Sequence, residues 1–270
     1  MTMYPEMEIK NSQVLISGMV SIIIPIFNQQ EKISHSISRI KQVAESYFSN
    51  YELLIVNDGS TDDTLSTLKE IVSTDQQHIR ILSYTPNRGK GYAVRYGVLH
   101  SHGDVVMFLD GDLDISPDLI KSYVEKLDTY DLVIASKRHP GSNVRVPASR
   151  LVMSRVFNFI VNVTTGIPQT DTQAGLKVGR GKIMRAIFKN INVHRYAFDI
   201  ELFTIASVLR CKIHEMPVIM KIDRKFKVKD ILRMLIDLIK ITYKHRISHQ
   251  YQKIYINKEE KETVHTQISV

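Results

Sequence analysis

Gly103–Pro117 reads GDVVMFLDGDLDISP, five apolar residues in a row (Val105 to Leu109) running into acids at Asp110, Asp112 and Asp114. A short unbroken apolar run with β-branched members is the pattern of a strand buried on both faces, as in a parallel sheet. Such a strand ends where the carboxylates begin, and open α/β sheets bind ligands beyond the carboxyl ends of their strands. Gly111 allows the sharp turn that aims neighbouring carboxylates at one point. Oxygen ligands without His or Cys suit a hard cation, Mg²⁺ or Mn²⁺, shared with substrate phosphates. An acidic loop capping the next helix would show some of the same residues: Ser116 is a good cap, Pro117 fits the first turn, and Asp118 suits the helix dipole. Asp110 and Asp112 come too early for that role.

Working outward, the 270-residue chain is 43% hydrophobic and 24% charged, ordinary globular values that allow one sizeable core. Its single cysteine, Cys211, excludes an intrachain disulfide and points to a reducing compartment. Acids at Glu6 and Glu8 argue against a signal peptide, and the uncharged stretch Val14 to Phe27, 14 residues, falls short of a membrane span. The net charge of +8 is gathered in the second half. A basic surface attracts nucleic acid, anionic lipid or phosphorylated substrate alike. The chain has no zinc spacing, no Gly-x-Gly-x-x-Gly and no aromatic-rich basic strand, so no nucleic-acid partner is expected.

Strands are expected at 20–26 (VSIIIPI), 51–56 (YELLIV), 79–84, 105–109, 131–136 (DLVIAS) and 212–222. Helices are expected at 29–48, after the turn at 57–60, after the loop 86–91, at 147–163, at 181–188 and after 194–202. Strand–helix alternation at this spacing gives an α/β fold, a mostly parallel central sheet with helices on both faces. Residues 1–19 read as a lead-in and 258–270 as a charged, disordered tail. From 229 to 243, Ile231, Leu232, Leu235, Ile236, Leu238 and Ile239 form one stripe, and Asp230, Arg233, Asp237, Lys240 and the adjoining Lys244 form the other face. That basic amphipathic helix could lie on a membrane or pack on its own domain with equal ease.

Six separated blocks make an assembly: PIFNQQ (25–30), VNDGSTDDT (56–64), NRGKGYAVRYG (87–97), FLDGDLD (108–114), DTQAGLK (171–177) and RYAFDIEL (195–202). In order and spacing they resemble the family 2 glycosyltransferases. Within that family they are similar to the enzymes that make dolichyl- or polyprenyl-phosphate sugars, the dolichyl-phosphate β-glucosyltransferases first and the mannose synthases more distantly. The resemblance implies a GT-A fold as one catalytic domain over 20–222, with a nucleotide-sugar half to about 115 and an acceptor half from 116. It implies inverting transfer of glucose or mannose from a UDP- or GDP-sugar to polyprenyl phosphate.

Carried onto this chain, the family pattern assigns the nucleotide sugar to Pro25, Phe27, Asn28, Gln29, Asp58, Lys90, Asp110 and Gly111, with Asp58 accepting from the base. Phe27 and Gln29 stand where relatives carry Tyr and Glu; the ring survives the change and the charge does not. Asp110 and Asp112 match the metal-binding D-x-D, with Asp114 as a third candidate ligand for Mg²⁺ or Mn²⁺. Asp112 and Asp171 are the candidate catalytic acids, Asp171 orienting or deprotonating the acceptor. A phosphate monoester is already ionised near neutral pH, so positive residues matter more than a strong base. Lys137, Arg138, Arg150 and Arg155 are the candidates. Asp199 and Glu201 could equally brace the Arg195 region, and His194 reads as structural.

Two other readings share these features. One is a family member acting on a sugar hydroxyl of a glycan or glycolipid. The other is a basic peripheral membrane protein without activity, which explains the charge but leaves the D-x-D block idle. The lipid acceptor implies work at an anionic membrane surface, peripheral to its cytoplasmic face.

Overall fold

The computed structural model describes residues 18–145, 148–221 and 228–254; side chains at 145, 148–153, 221 and 228–232 fall outside that description. The expected lead-in and tail, Arg150's side chain and the basic flank at 224–227 therefore lie outside the described residues.

A seven-stranded sheet runs through the centre in the order β3-β2-β1-β4-β7-β5-β8. Its strands are β1 (Val20–Ile26), β2 (Tyr51–Asp58), β3 (Ile79–Tyr84), β4 (Val105–Phe108), β5 (Leu132–Ser136), β7 (Lys177–Arg180) and β8 (Ile213–Pro217). Pairings β1–β2, β1–β4, β2–β3 and β5–β8 are parallel, and only β7 runs against its neighbours β4 and β5. The apolar runs of β1, β2 and β4 are buried on both faces, as their lack of alternation requires. Each fully buried Ile or Leu contributes roughly 1.5–3 kcal/mol. Register places Ile26 beside Asn57, Asp58 beside Tyr84 and Phe108 beside Ile23, so β1, β2 and β4 end along one edge.

Helices α1 (Ile33–Tyr47) and α2 (Thr64–Thr74) cover one face, packing Ile33, Ile37, Ile40 and Leu68 with Ile22, Ile24, Leu53 and Ile55. On the other face α3 (Lys90–Leu99), α6 (Gly181–Asn190) and α7 (Phe198–Val208) pack Val94, Val98, Phe188 and Phe198 with Ile23, Leu54, Val56 and Phe108. A short α4 (Ile120–Glu125) follows the acidic loop, and Ser116 caps its preceding turn by accepting from the Asp118 N–H.

The structure departs from the sequence expectation in three places. β7 is absent from the expected strands because its four residues, KVGR, carry a lysine and a glycine and no alternation. The run 212–222 is two strands, β8 and β9 (Ile219–Lys221), the latter pairing with β6 (Asn143–Arg145) in a separate small sheet. Pro217 has no N–H to continue the ladder, so the chain changes partner there. The packing also extends past Ile222. α8 (Val228–Thr242) buries Met234, Leu238 and Ile241, and the following π-helical turn and segment to Ile254 bury Tyr251. α5 (Ala148–Thr165) lies beside α8, where Arg246 donates to the Val163 carbonyl at 3.3 Å.

Candidate active site

At the shared carboxyl edge the loop after β1 is latched to the loop after β2. Thr61 N–H donates to Asn28 Oδ1 at 2.8 Å, Asn28 N–H to Ser60 Oγ at 3.0 Å, and Gln29 N–H to Thr64 Oγ1 at 2.8 Å. Asn28 adopts φ 50°, which its short polar side chain tolerates. The latch leaves the Phe27 ring 44% exposed, a flat surface at the sheet edge. Pro25, half-buried in β1, positions it.

Asp58 turns out to be occupied. Its Oδ1 accepts from Tyr84 Oη and the Arg88 N–H, both at 2.8 Å, and its Oδ2 from Asn87 Nδ2 at 2.8 Å and the Gly89 N–H at 2.9 Å. A carboxylate offers about four acceptor positions, so its own loop fills Asp58. From sequence it is expected to hold the nucleotide base; in the structure it fastens residues 84–89 and so fixes where α3 begins. Those donors lie 26 to 31 positions away along the chain and meet Asp58 only in the fold.

Lys90 opens α3 and reaches Asp110, with Nζ 2.6 Å from Oδ1 and 2.9 Å from Oδ2. Burial works against its charge, yet Asp110 and Asp199 together hold its pKa above the ordinary lysine value. Asp110 also lies against Gly175 of the DTQAG block. A Cβ there would stand 2.2 Å from Asp110 Oδ2, so no other residue admits this approach. Gly111 sits against Gln29, whose buried Oε1 has no hydrogen-bond partner. Four of the six sequence blocks thus meet around Asp110. Asp112 Oδ1 accepts the Asp114 N–H at 3.2 Å, shaping the turn.

The three acids do not close into a cage: among the described residues no three His, Cys, Asp or Glu side chains converge as a complete ligand set. An open set of hard carboxylate oxygens, a cradle kept clear by Gly175 and a positive group already drawn to Asp110 fit a divalent cation whose shell is completed by phosphate oxygens.

Beneath this loop Lys177 of β7 and Asp199 of α7 form an ion pair at 2.7 Å, their side chains 2% and 8% exposed. Lys177 also donates to the Ala174 carbonyl at 2.8 Å and lies over the rings of Phe108 and Phe203. Burial pushes the Lys177 ammonium down and the Asp199 carboxyl up, and each partner opposes the other's loss of charge. Lys177 was not among the expected site residues; its signal in the sequence is a lysine placed directly after the apolar end of DTQAGL. Glu201, two residues on, accepts from the Asn192 and Val193 N–H groups at 2.9 and 2.7 Å and from Tyr251 Oη at 2.6 Å. It is a structural brace. His194, exposed and edge-on to Tyr92, contributes its carbonyl to the Tyr92 N–H.

At the end of β5, Lys137 is committed to Asp171: Nζ lies 2.8 Å from Oδ2, and the Lys137 N–H donates to the same oxygen at 2.8 Å. Burial alone would raise the Asp171 carboxyl, but Lys137 more than reverses it and leaves the group below the ordinary carboxylate value. Arg138 donates to the Ser154 carbonyl of α5 at 2.6 Å, and its pKa is lowered by burial, with Arg155 adding to that. Thr170 is held by Glu215 of β8. The expected basic group therefore divides: Lys137 neutralises Asp171, while Arg138 and exposed Arg155 remain together on the same side.

Two apolar rows face outward from this half. α5 exposes Val156, Phe159 and Val163; α8 and the turn after it expose Ile236, Ile239, Tyr243 and Ile247. The amphipathic helix thus packs on its own domain with one stripe and leaves another exposed. Among the described residues no helix is long and apolar enough to cross a membrane. Behind the Lys90 loop, a cleft of about 290 Å³ lies between residues 192–195 and α8, away from the acidic loop.

The family model for glycosyl transferase family 2 matches residues 21–188. A dolichyl-phosphate beta-glucosyltransferase of Trichomonas vaginalis is 32% identical over 246 residues, covering 84% of this chain and 74% of that protein. The dodecaprenyl-phosphate galacturonate synthase of Rhizobium johnstonii is 26% identical over 240 residues, covering 85% and 69%. In fold, the chain is similar to glucosyl-3-phosphoglycerate synthase from Mycobacterium tuberculosis in its crystal structure with Mn²⁺, uridine diphosphate and glucosyl-3-phosphoglycerate. The TM-score is 0.64 at 20% identity, over 84% of this chain and 79% of that one.

Proposed function

This chain belongs to glycosyl transferase family 2, and from that premise we propose that it moves a hexose from a UDP- or GDP-sugar to the phosphate of a polyprenyl lipid. The observation that carries the acceptor class is the Lys137–Asp171 pair. A carboxylate held low by an ammonium at 2.8 Å is a poor proton acceptor, which suits an acceptor already ionised and disfavours a sugar hydroxyl. A phosphate monoester, with its second pKa of roughly 6, needs no base at neutral pH.

The residues then divide the work. Phe27 offers its ring to the base, and the latched Asn28 and Gln29 backbone keeps it in place. Asp110 and Asp112 would hold a Mg²⁺ or Mn²⁺ ion, whose chemistry is to neutralise the departing nucleoside diphosphate. Arg138 and Arg155 hold the acceptor phosphate, Asp171 with Lys137 fixing the end of β5 that carries Arg138 and α5 carrying Arg155. A phosphate oxygen attacks the anomeric carbon from the face opposite the leaving group. The new C–O bond forms as the bond to the diphosphate breaks, the configuration inverts, and the nucleoside diphosphate leaves as the anion. No proton has to be removed.

A polyprenyl phosphate stays in its bilayer, so the enzyme works at a membrane surface, peripheral to the cytoplasmic face. The outward rows of α5 and α8, flanked by Arg155, Arg233, Lys240 and Arg246, supply the apolar and cationic parts such docking needs. The test is a panel of radiolabelled UDP- and GDP-hexoses with polyprenyl phosphate and Mn²⁺, following label into organic solvent. Label appearing there only with the lipid present is the expected result; label passing only to a glycan hydroxyl would overturn the lipid reading.

A further inference from the structure

The ammonium of Lys90 touches both oxygens of Asp110, at 2.6 and 2.9 Å. Asp110 also lies close against Gly175, where a Cβ would stand 2.2 Å from Oδ2. Both carboxylate oxygens of Asp110 are thus already engaged by Lys90, and a cation binding there has to share them with it. Lys90 is also within the influence of a second carboxylate, Asp199, which stands deeper and is itself paired with Lys177. It is a positive charge held at one position with more than one anionic partner in reach.

We propose that Lys90 and a divalent cation compete for Asp110, the ammonium neutralising this carboxylate until a nucleoside diphosphate offers Lys90 a different anion. The inference rests on the metal reading given above and adds an order to it. A bare cation must displace or crowd a fixed ammonium, and so binds weakly. When the diphosphate arrives its oxygens take Lys90, Asp110 becomes available, and cation and nucleotide bind as a coupled pair. By linkage each then strengthens the other by the same factor. Lys90 would thus keep the acidic loop neutral and in shape without donor, and discourage metal from settling there alone.

The experiment titrates Mn²⁺ into the full-length chain and follows the free ion by electron paramagnetic resonance, with and without uridine or guanosine diphosphate. Wild type is compared with Lys90→Met and with Lys90→Gln, folding being checked by circular dichroism. Loss of a unit charge within 3 Å should tighten nucleotide-free Mn²⁺ binding by about tenfold or more, and shrink the further gain that nucleotide brings. Equal nucleotide-free affinity in wild type and both variants overturns the competition while leaving the metal site standing. Failure of all three proteins to bind Mn²⁺ even with either nucleotide overturns the metal reading, and the competition with it.

Discussion

Lys177 and Asp199 meet at 2.7 Å inside the protein, the lysine from the one antiparallel strand of the sheet and the aspartate from the first turn of α7. Neither can be removed alone without stranding the other's charge. Asp199→Ala should cost roughly 3–5 kcal/mol, whereas replacing both partners by apolar residues of similar volume should recover most of it. Urea unfolding of Asp199→Ala and of Lys177→Met with Asp199→Leu measures this. A single variant as stable as wild type would show that the pair carries little.

Gly175→Ala drives a methyl group into Asp110 and should lose most transfer activity while unfolding at nearly the wild-type urea concentration. Asp112→Asn should lose activity as well, but by weakening the cation and without moving Asp110. A crystal structure of Gly175→Ala with Asp110 undisturbed would count against the close-packing explanation.

Arg155→Ala should raise the KM for polyprenyl phosphate at least about tenfold, as loss of a charge-assisted contact does. Donor hydrolysis in the absence of acceptor should be little changed. Should affinity for the donor fall in proportion, Arg138 and Arg155 belong to the diphosphate and the division of the site is wrong.

Membrane docking is best perturbed with single charges. Removing 223–270 would also take Leu238 and Tyr251 out of the core and leave Glu201 without the Tyr251 hydroxyl, so its effect would be ambiguous. Phe159→Asp and Ile239→Asp alter side chains 68% and 69% exposed and should leave the fold intact. In co-sedimentation with anionic vesicles at low salt, wild type should pellet and both variants should stay largely in solution. Wild-type protein remaining in the supernatant would send these rows to another occupant, a second copy of the chain first among them.

Acid stability should depend on Glu52, at the opposite end of the sheet from the site. Burial raises its carboxyl, but hydrogen bonds from Ser21, the His102 N–H and Arg80 outweigh that and leave it below its ordinary 4.5. A lowered carboxyl contributes its stability in full above the unfolded value and loses it as pH falls through the folded one. The gap in urea midpoint between wild type and Glu52→Gln should therefore narrow between about pH 7 and pH 3.5. A gap that stays constant over that range would remove Glu52 from the acid transition.

The central strands were legible because β1, β2 and β4 are unbroken apolar runs, which few structures other than a doubly covered sheet can accept. Asp110 and Lys90 were legible as members of blocks, and the fold brings them into contact. Asp58 was visible as a residue but its surroundings were not, since nothing local shows that Tyr84, Asn87, Arg88 and Gly89 will surround it. β7 was hidden by its shortness and by Lys177, a residue type that strands bury only when a partner arrives from elsewhere. For α8 the period was readable and its surroundings were not: Leu238 turns inward and Ile239 outward, one position apart.

β7 also governs how this enzyme can move. Because it is hydrogen-bonded to β4 on one side and β5 on the other, the strand that leads into Asp110 and the strand that leads into Lys137 are rungs of one continuous ladder. A hinge between them would have to tear that ladder open. Asp110 follows β4 and Asp171 precedes β7, two strands paired in that ladder. Substitutions that loosen β7 should accordingly blur the spacing of donor and acceptor, without weakening the grip on either one.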